Sequence, residues 1–382
     1  MKKYWLRFYN YIYKHLLTKV IFLFNSELIH NLLVRYGEIL GKTLLTRKLA
    51  FFIFNIKSPI LSQNIKGITF ENPIGLAAGF DYTASLTQIL PSIGFGFGTV
   101  GTITNHAFEG NPKPRLARLL KSKSLMVNKG FKNNGIDAVG NKLKNYNFQI
   151  PIGISIGQTN TGKFTQESAV EDIVTAFKKA EEFDLKTKYY ELNISCPNLN
   201  TKVTFYDPDK LDELLTKIKA LNIKKPIFVK MPIDKNDKEA LSLLDVISKN
   251  KMDGVIFGNL QKNRNNKTLD KNETAKYPVG NFSGKPTWED SNRLIELAYK
   301  NYKDKLIIIG CGGVFNGQDA YHKIKLGASL VQFITGLIFE GPAAAALINS
   351  ELIGLLKKDG YKNVKQAVGI NVNKLAVDKA SL

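Results

Sequence analysis

Cysteine is nearly absent from this chain. Its 382 residues contain 2 Cys, Cys196 and Cys311, too far apart in sequence to build a disulfide framework, which points to a reducing compartment. Histidine is almost as scarce, with 4 in all, and no Cys/His cluster has metal-ligand spacing, so no metal centre is expected. Arginine is sparse beside lysine, although the formal net charge is +21. Nucleic-acid readers rely on the bidentate arginine fork, and no nucleic-acid-binding motif is present, so no such partner is expected. The charge then reads either as a solvated surface or as attraction to an anionic membrane face. No run of 18 apolar residues occurs, which argues against a spanning helix.

What is present is globular: 44% hydrophobic and 23% charged residues. From Ile68 onward, short apolar runs recur, each ending in Gly, Asn or Pro and followed by an amphipathic stretch. They are Pro73–Gly79, Thr99–Thr104, Ile152–Gly157, Tyr189–Cys196, Ile227–Pro232, Gly254–Asn259, Leu306–Gly313 and Leu330–Gly336. Near-continuous apolar strands alternating with helices predict a parallel sheet covered on both faces, and eight units predict an α/β fold of the (β/α)8 TIM-barrel type. Residues 1–60 are different. They carry ten Lys/Arg and two acids, Glu27 and Glu38, among aromatic and aliphatic side chains. Two helices are predicted there, Lys3–Phe24 and Ser26–Leu40, the second capped at Asn25 and ended by Gly41. Basic residues among Trp5, Phe8, Tyr9 and Phe22 suit a peripheral membrane contact through residues 1–40. The expected division is a helical extension over 1–60 and a barrel over 61–382.

In a barrel the C-terminal strand tips carry the chemistry. The fourth run ends Asn193-Ile-Ser-Cys196-Pro-Asn198, a thiol bracketed by two amides, able to accept a proton and to hold a small polar ligand. Lys230 ends an apolar strand before Pro232, and a cation aimed into a barrel mouth needs an anionic partner. Gly312-Gly313 and Thr335-Gly336, after the seventh and eighth runs, fit the phosphate cradle of this architecture. Ala78, Gly79, Thr102, Ser155 and Asn259 sit at the remaining tips.

Together these motifs resemble the dihydroorotate dehydrogenase family. The matches are Asn72-Pro-Ile-Gly-Leu-Ala-Ala-Gly-Phe-Asp81, Gly110-Asn-Pro-Lys-Pro-Arg115, Asn193-Ile-Ser-Cys-Pro-Asn198, Pro226-Ile-Phe-Val-Lys230 and Phe282-Ser-Gly-Lys-Pro286, with Asn259 and both glycine loops. The resemblance implies FMN held by Ala78, Gly79, Thr102, Ser155, Asn193, Lys230, Gly284, Gly313, Thr335 and Gly336. It implies dihydroorotate held by Asn193, Asn198 and Asn259, to which Asn128 and Lys132 of the altered loop described below are added as expected substrate contacts, with Cys196 as the base that removes the C5 proton while a hydride leaves C6 for the flavin. The basic N-terminal helices resemble those of the membrane-associated, quinone-reducing class 2 branch. That branch places an arginine beside the quinone, at Arg118 here, on a protein peripheral to the cytoplasmic side of the inner membrane.

Three features depart from the class 2 pattern. Class 2 uses serine as base, whereas Cys196 follows the cytosolic class 1 pattern. Tyr82 stands where class 2 has a lysine that touches flavin and orotate. In the substrate loop, Asn128 lies two residues before Gly130-Phe131 where the family spacing is three, and Lys132 replaces an amide. Lys132 or Lys129 is the expected replacement cation, and Lys132 is also the expected positive charge that assists the thiol. Another reduced pyrimidine or a soluble acceptor remains an alternative, as does a basic membrane- or nucleic-acid-binding relict barrel without activity.

Overall fold

The computed structural model describes residues 2–201 and 203–372. Eight parallel strands close a barrel: β1 (Ile74–Leu76), β2 (Phe97–Ile103), β3 (Ile152–Ile156), β4 (Tyr189–Asn193), β5 (Ile227–Met231), β6 (Gly254–Phe257), β7 (Ile307–Cys311) and β8 (Leu330–Phe333). Each strand pairs with its sequence neighbours, and β8 closes on β1. All eight predicted runs form these strands, trimmed at their polar tips, which turn out of the ladder into the loops.

The strand period of two divides each run between two cores. Ile154, Leu192, Val229 and Ile308 face outward and pack with helix residues such as Phe177, Leu214, Leu244 and Ile295. Phe97, Tyr189, Phe228, Ile256 and Ile309 face inward and fill the lumen. The same alternation brings Ser155, Asn193 and Lys230 inward, with Asn193 beside Lys230 in the β4–β5 register. Beneath them lies a polar layer in which the buried Glu191 accepts hydrogen bonds from Thr99 Oγ1 and Gln332 Nε2, both at 2.6 Å. Several of the outer helices start on side-chain caps. Thr165 and Ser168 form a capping box for Gln166–Glu182, and Asn236 with Glu239 forms one for Asp237–Lys249.

Four helices precede the barrel: α1 (Lys2–Ile12), α2 (Thr18–Ile21), α3 (Ser26–Lys42) and α4 (Leu44–Phe54). The predicted first helix is shorter and is broken by a π-helical turn at Tyr13–Leu17, beside which the Tyr13 hydroxyl donates to the Ile338 carbonyl at 2.8 Å. Asn25 caps α3 as expected, accepting from the N–H groups of Glu27 and Leu28. Gly41 does not end α3. It permits close approach instead, since a Cβ there would lie 3.2 Å from Gln88 Cβ. The sequence pattern missed α4, whose exposed apolar residues blur its periodicity. It also missed an antiparallel sheet of Leu116–Leu119, Ser124–Val127 and Asn281–Gly284, in which a hairpin gains its third strand from a distant part of the chain. Leu6 docks α1 on Ala343 and Ala346, and Lys14 pairs with Glu340 at 2.8 Å.

Candidate active site

The strand tips open into one cavity, with about 1140 Å³ of empty space counted to its open mouth. Its deepest polar wall is a chain of hydrogen bonds. Asn193 Nδ2 donates to Thr102 Oγ1 at 2.8 Å, and Thr102 shares a hydrogen bond with Ser155 Oγ at 2.9 Å. Asn193 Oδ1 accepts from both the N–H (3.1 Å) and the hydroxyl (2.8 Å) of Ser195, whose Oγ in turn accepts from Asn259 Nδ2. Ser195 is therefore the hub that fixes two of the expected substrate amides. No charge or spacing in the sequence distinguishes this serine, whose role depends on Asn259 from a different strand tip. Asn198 donates to the Val127 carbonyl at 2.9 Å and accepts from Asn281 at 2.7 Å, tying the β4 loop to the added sheet.

Cys196 forms part of the walls of this cavity and of a second one lined by Gln158, Thr201, Tyr206 and Lys262. Burial pushes its thiol up to about 11, against opposing effects from a backbone hydrogen bond at Asn198 and the cations of Lys230 and Lys262. Lys132, expected to assist the thiol, does not do so. Its ammonium faces Glu109 at 4.0 Å, and the cations that act on Cys196 come from β5 and the loop after β6.

Lys129, Lys132 and Lys230 line the cavity, and among the described residues no Asp or Glu does. Lys230 is buried, and no ion pair among the described residues includes it. A buried ammonium without a carboxylate is costly unless a ligand supplies the anion. The flavin implied by the sequence fits this wall. A Cβ on Gly79 would touch only Ile334, at 3.5 Å, so the backbone there borders open space. Gly312 and Gly313, both at positive φ, meet Thr335 and Gly336 at the start of a helix whose first N–H groups lack helical partners. Thr335 is held by Ser283 at 2.8 Å, and Gly284 and Ala78 complete that wall.

Three expected residues stand outside the wall. Ser155 is fully buried behind Thr102. Asn128 accepts from Asn111 Nδ2 at 3.1 Å, beside the loop rather than in the cavity. Arg118 donates to the carbonyls of Phe22 and Phe24 and lies 4.7 Å from the centre of the Phe22 ring. It clamps the end of the α1–α2 segment to the added sheet. Hydrogen bonds from a charged donor contribute about 1.5–3 kcal/mol. Arg118→Ala should therefore speed amide exchange across residues 18–28 by about tenfold or more, with barrel amides unchanged. Equal protection in the variant would rule out the clamp. A residue missed by sequence takes a place in the wall instead. His30 of α3 stacks on Tyr82 at 5.6 Å and meets Phe80 edge-on at 4.8 Å. Burial, with the nearby Lys129 cation, holds its imidazole well below the usual range, so it is neutral.

A lysine-lined cavity at the C-terminal mouth of a closed barrel defines a (β/α)8-barrel enzyme built for anionic small molecules. The family model for dihydroorotate dehydrogenase matches residues 60–356, and this chain belongs to that family, whose members are flavoproteins. Similar curated proteins include the dihydroorotate dehydrogenases (quinone) of Christiangramia forsetii and Sulfurimonas denitrificans. The first is 34% identical over 351 residues, covering 90% of this chain and 99% of the relative. The second is 37% identical over 317 residues, covering 82% and 86%. Among solved structures, ligand-free dihydroorotate dehydrogenase from Eimeria tenella superposes with a TM-score of 0.76 at 30% identity, covering 86% of this chain and 99% of that one. The complex of the same enzyme with ferulenol gives a TM-score of 0.75 at 29% identity, covering 86% and 96%.

Proposed function

We propose that this protein oxidises (S)-dihydroorotate to orotate in pyrimidine biosynthesis, with FMN as cofactor and a membrane quinone as acceptor. The observation that carries the reading is the cavity wall with three lysines and, among the described residues, no carboxylate. That wall suits a ligand pair bearing a phosphate and a carboxylate. FMN, when bound, supplies the hydride acceptor and passes the electrons on. Cys196, entering its role as a thiolate, takes the C5 proton. Asn193, Asn198 and Asn259 present amides to the pyrimidine edge, each oriented by the partners described above. Lys230 supplies the cation beside the flavin, and Gly313, Thr335 and Gly336 supply N–H groups to its phosphate.

Residues 1–60 act in this reading as a separate extension that guides quinone toward the cavity, past His30 and Arg118. Trp5, Leu23, Leu45 and Phe52 are exposed on these helices among basic residues, which supports a peripheral seat on an anionic bilayer, at the cytoplasmic face of the inner membrane. No helix among the described residues is long and apolar enough to cross a membrane.

The test is an anaerobic half-reaction. Dihydroorotate should bleach the flavin absorbance, and quinone should restore it faster than fumarate or NAD. Bleaching by dihydrouracil but not by dihydroorotate would transfer the assignment to another reduced pyrimidine. A colourless protein unable to take up FMN would overturn the reading altogether.

A further inference from the structure

Lys129 is a buried cation without an anion. Its side chain lies in the cavity wall, with Nζ 3.3 Å from the Tyr82 hydroxyl and 4.4 Å from the centre of the Tyr82 ring. Neither contact neutralises it, and no ion pair among the described residues includes it. The groups around it are Glu27 and His30 from α3, Arg115 from the loop that enters the added sheet, Lys132 from its own loop, and Tyr82. Glu27 is the one carboxylate among those that act on it, and it is engaged by Arg115 at 3.1 Å. Lys132 has Glu109 at 4.0 Å and is partly exposed, so it can draw on solvent as well. The local balance is positive, and the buried member of the set is the one left unpaired.

The backbone fixes this arrangement. Gly130 (φ 63°) and Phe131 (φ 62°) lie consecutively in the left-handed region, which a bulky residue such as phenylalanine enters only at a cost. Asn160 Nδ2 donates to the Gly130 carbonyl at 3.0 Å, Asn133 Nδ2 donates to the Phe131 carbonyl at 2.8 Å, and the Lys129 carbonyl accepts from the Asn111 N–H at 3.3 Å. A turn held at three successive carbonyls keeps the lysine directed inward rather than toward water.

We propose that Lys129, set against Tyr82, is the residue that binds the carboxylate of the substrate, and that the lysine absent at position 82 has been replaced across the cavity. This rests on the dihydroorotate reading above. Tyr82 then acts as a positioning residue. Its hydroxyl accepts from the ammonium while donating to Asn31 Oδ1 at 3.3 Å, and its ring covers the lysine from the helix side. Burial and the neighbouring cations bring the ammonium down to about 7, so an arriving carboxylate restores a full charge that the empty pocket holds weakly.

The test measures orotate binding to the FMN-loaded protein by perturbation of the flavin spectrum, with flavin content recorded for each variant. Lys129→Met should weaken orotate about ten- to a hundredfold and leave flavin content and uracil binding unchanged. Lys129→Arg should recover most of the loss, and Lys132→Met should weaken orotate less than threefold. The double variant Tyr82→Lys with Lys129→Met, which moves the cation across the cavity, should restore binding to within about tenfold of the parent. Unaltered orotate affinity in Lys129→Met, or loss of FMN from that variant, would overturn the assignment. If the parent protein takes up FMN and binds uracil but neither orotate nor dihydroorotate, it is the substrate reading that fails, and this result is distinct from either of those outcomes.

Discussion

Replacement of Cys196 by alanine is expected to slow flavin reduction by dihydroorotate by about 10²–10⁴-fold, the range supplied by a positioned general base, while FMN stays bound. The thiol is a weak candidate in its resting form, because burial pushes it up to about 11. Only the thiolate can take the C5 proton. Below that value its fraction rises about tenfold per pH unit, so the limiting rate of flavin reduction at saturating dihydroorotate, where the bound carboxylate keeps Lys129 charged, should climb between pH 6 and 9 with a slope approaching one. The cations that favour the thiolate are Lys230 and Lys262, and Lys262 is partly held by Asp234 at 2.8 Å. Stopped-flow flavin bleaching measures both effects. A flat pH profile, or rapid bleaching in Cys196→Ala, would remove this thiol from the reaction.

Lys230→Met should lower FMN affinity by about ten- to a hundredfold, the equivalent of a charge-assisted hydrogen bond of roughly 1.5–3 kcal/mol. Its effect on the apoprotein should have the opposite sign. Lys230 is buried on β5, with Asn193 beside it in register, and methionine fills similar space without a charge to desolvate. The apoprotein of the variant should therefore unfold at an equal or higher temperature than the parent. The two measurements are fluorescence titration with FMN and thermal unfolding of the flavin-free protein. A variant that lost stability while keeping FMN affinity would make Lys230 a structural residue instead.

Much of the site was legible because its residues end strands. The period of two assigns Ser155, Asn193 and Lys230 to the lumen once the strands are known, and the fold makes the C-terminal tips the reactive end. The glycine loops were legible for a related reason, since Gly312 and Gly313 adopt positive φ that other residues resist. Asn128 was misplaced because one residue of shift in an irregular loop leaves no periodic signal. Ser155 and Arg118 were found by type and position, but their environment was not foreseen. One is screened by Thr102, and the other is bound to carbonyls that lie 94 and 96 residues earlier in the chain.

The sequence by itself determined the eight-strand barrel, the strand tips that face the cavity, the family, and the basic aromatic character of the first 60 residues. These follow from local periodicity and from short motifs whose residues are neighbours in the chain. Only the tertiary structure decided which lysines stand unpaired, because Lys129, Lys132 and Lys230 are equivalent charges until it is seen that only Lys132 faces a carboxylate among the described residues. It also decided that Ser195 ties Asn193 to Asn259, and that His30 reaches the cavity from α3. Charge pairing and burial depend on groups brought together from distant parts of the chain, and no local pattern records them.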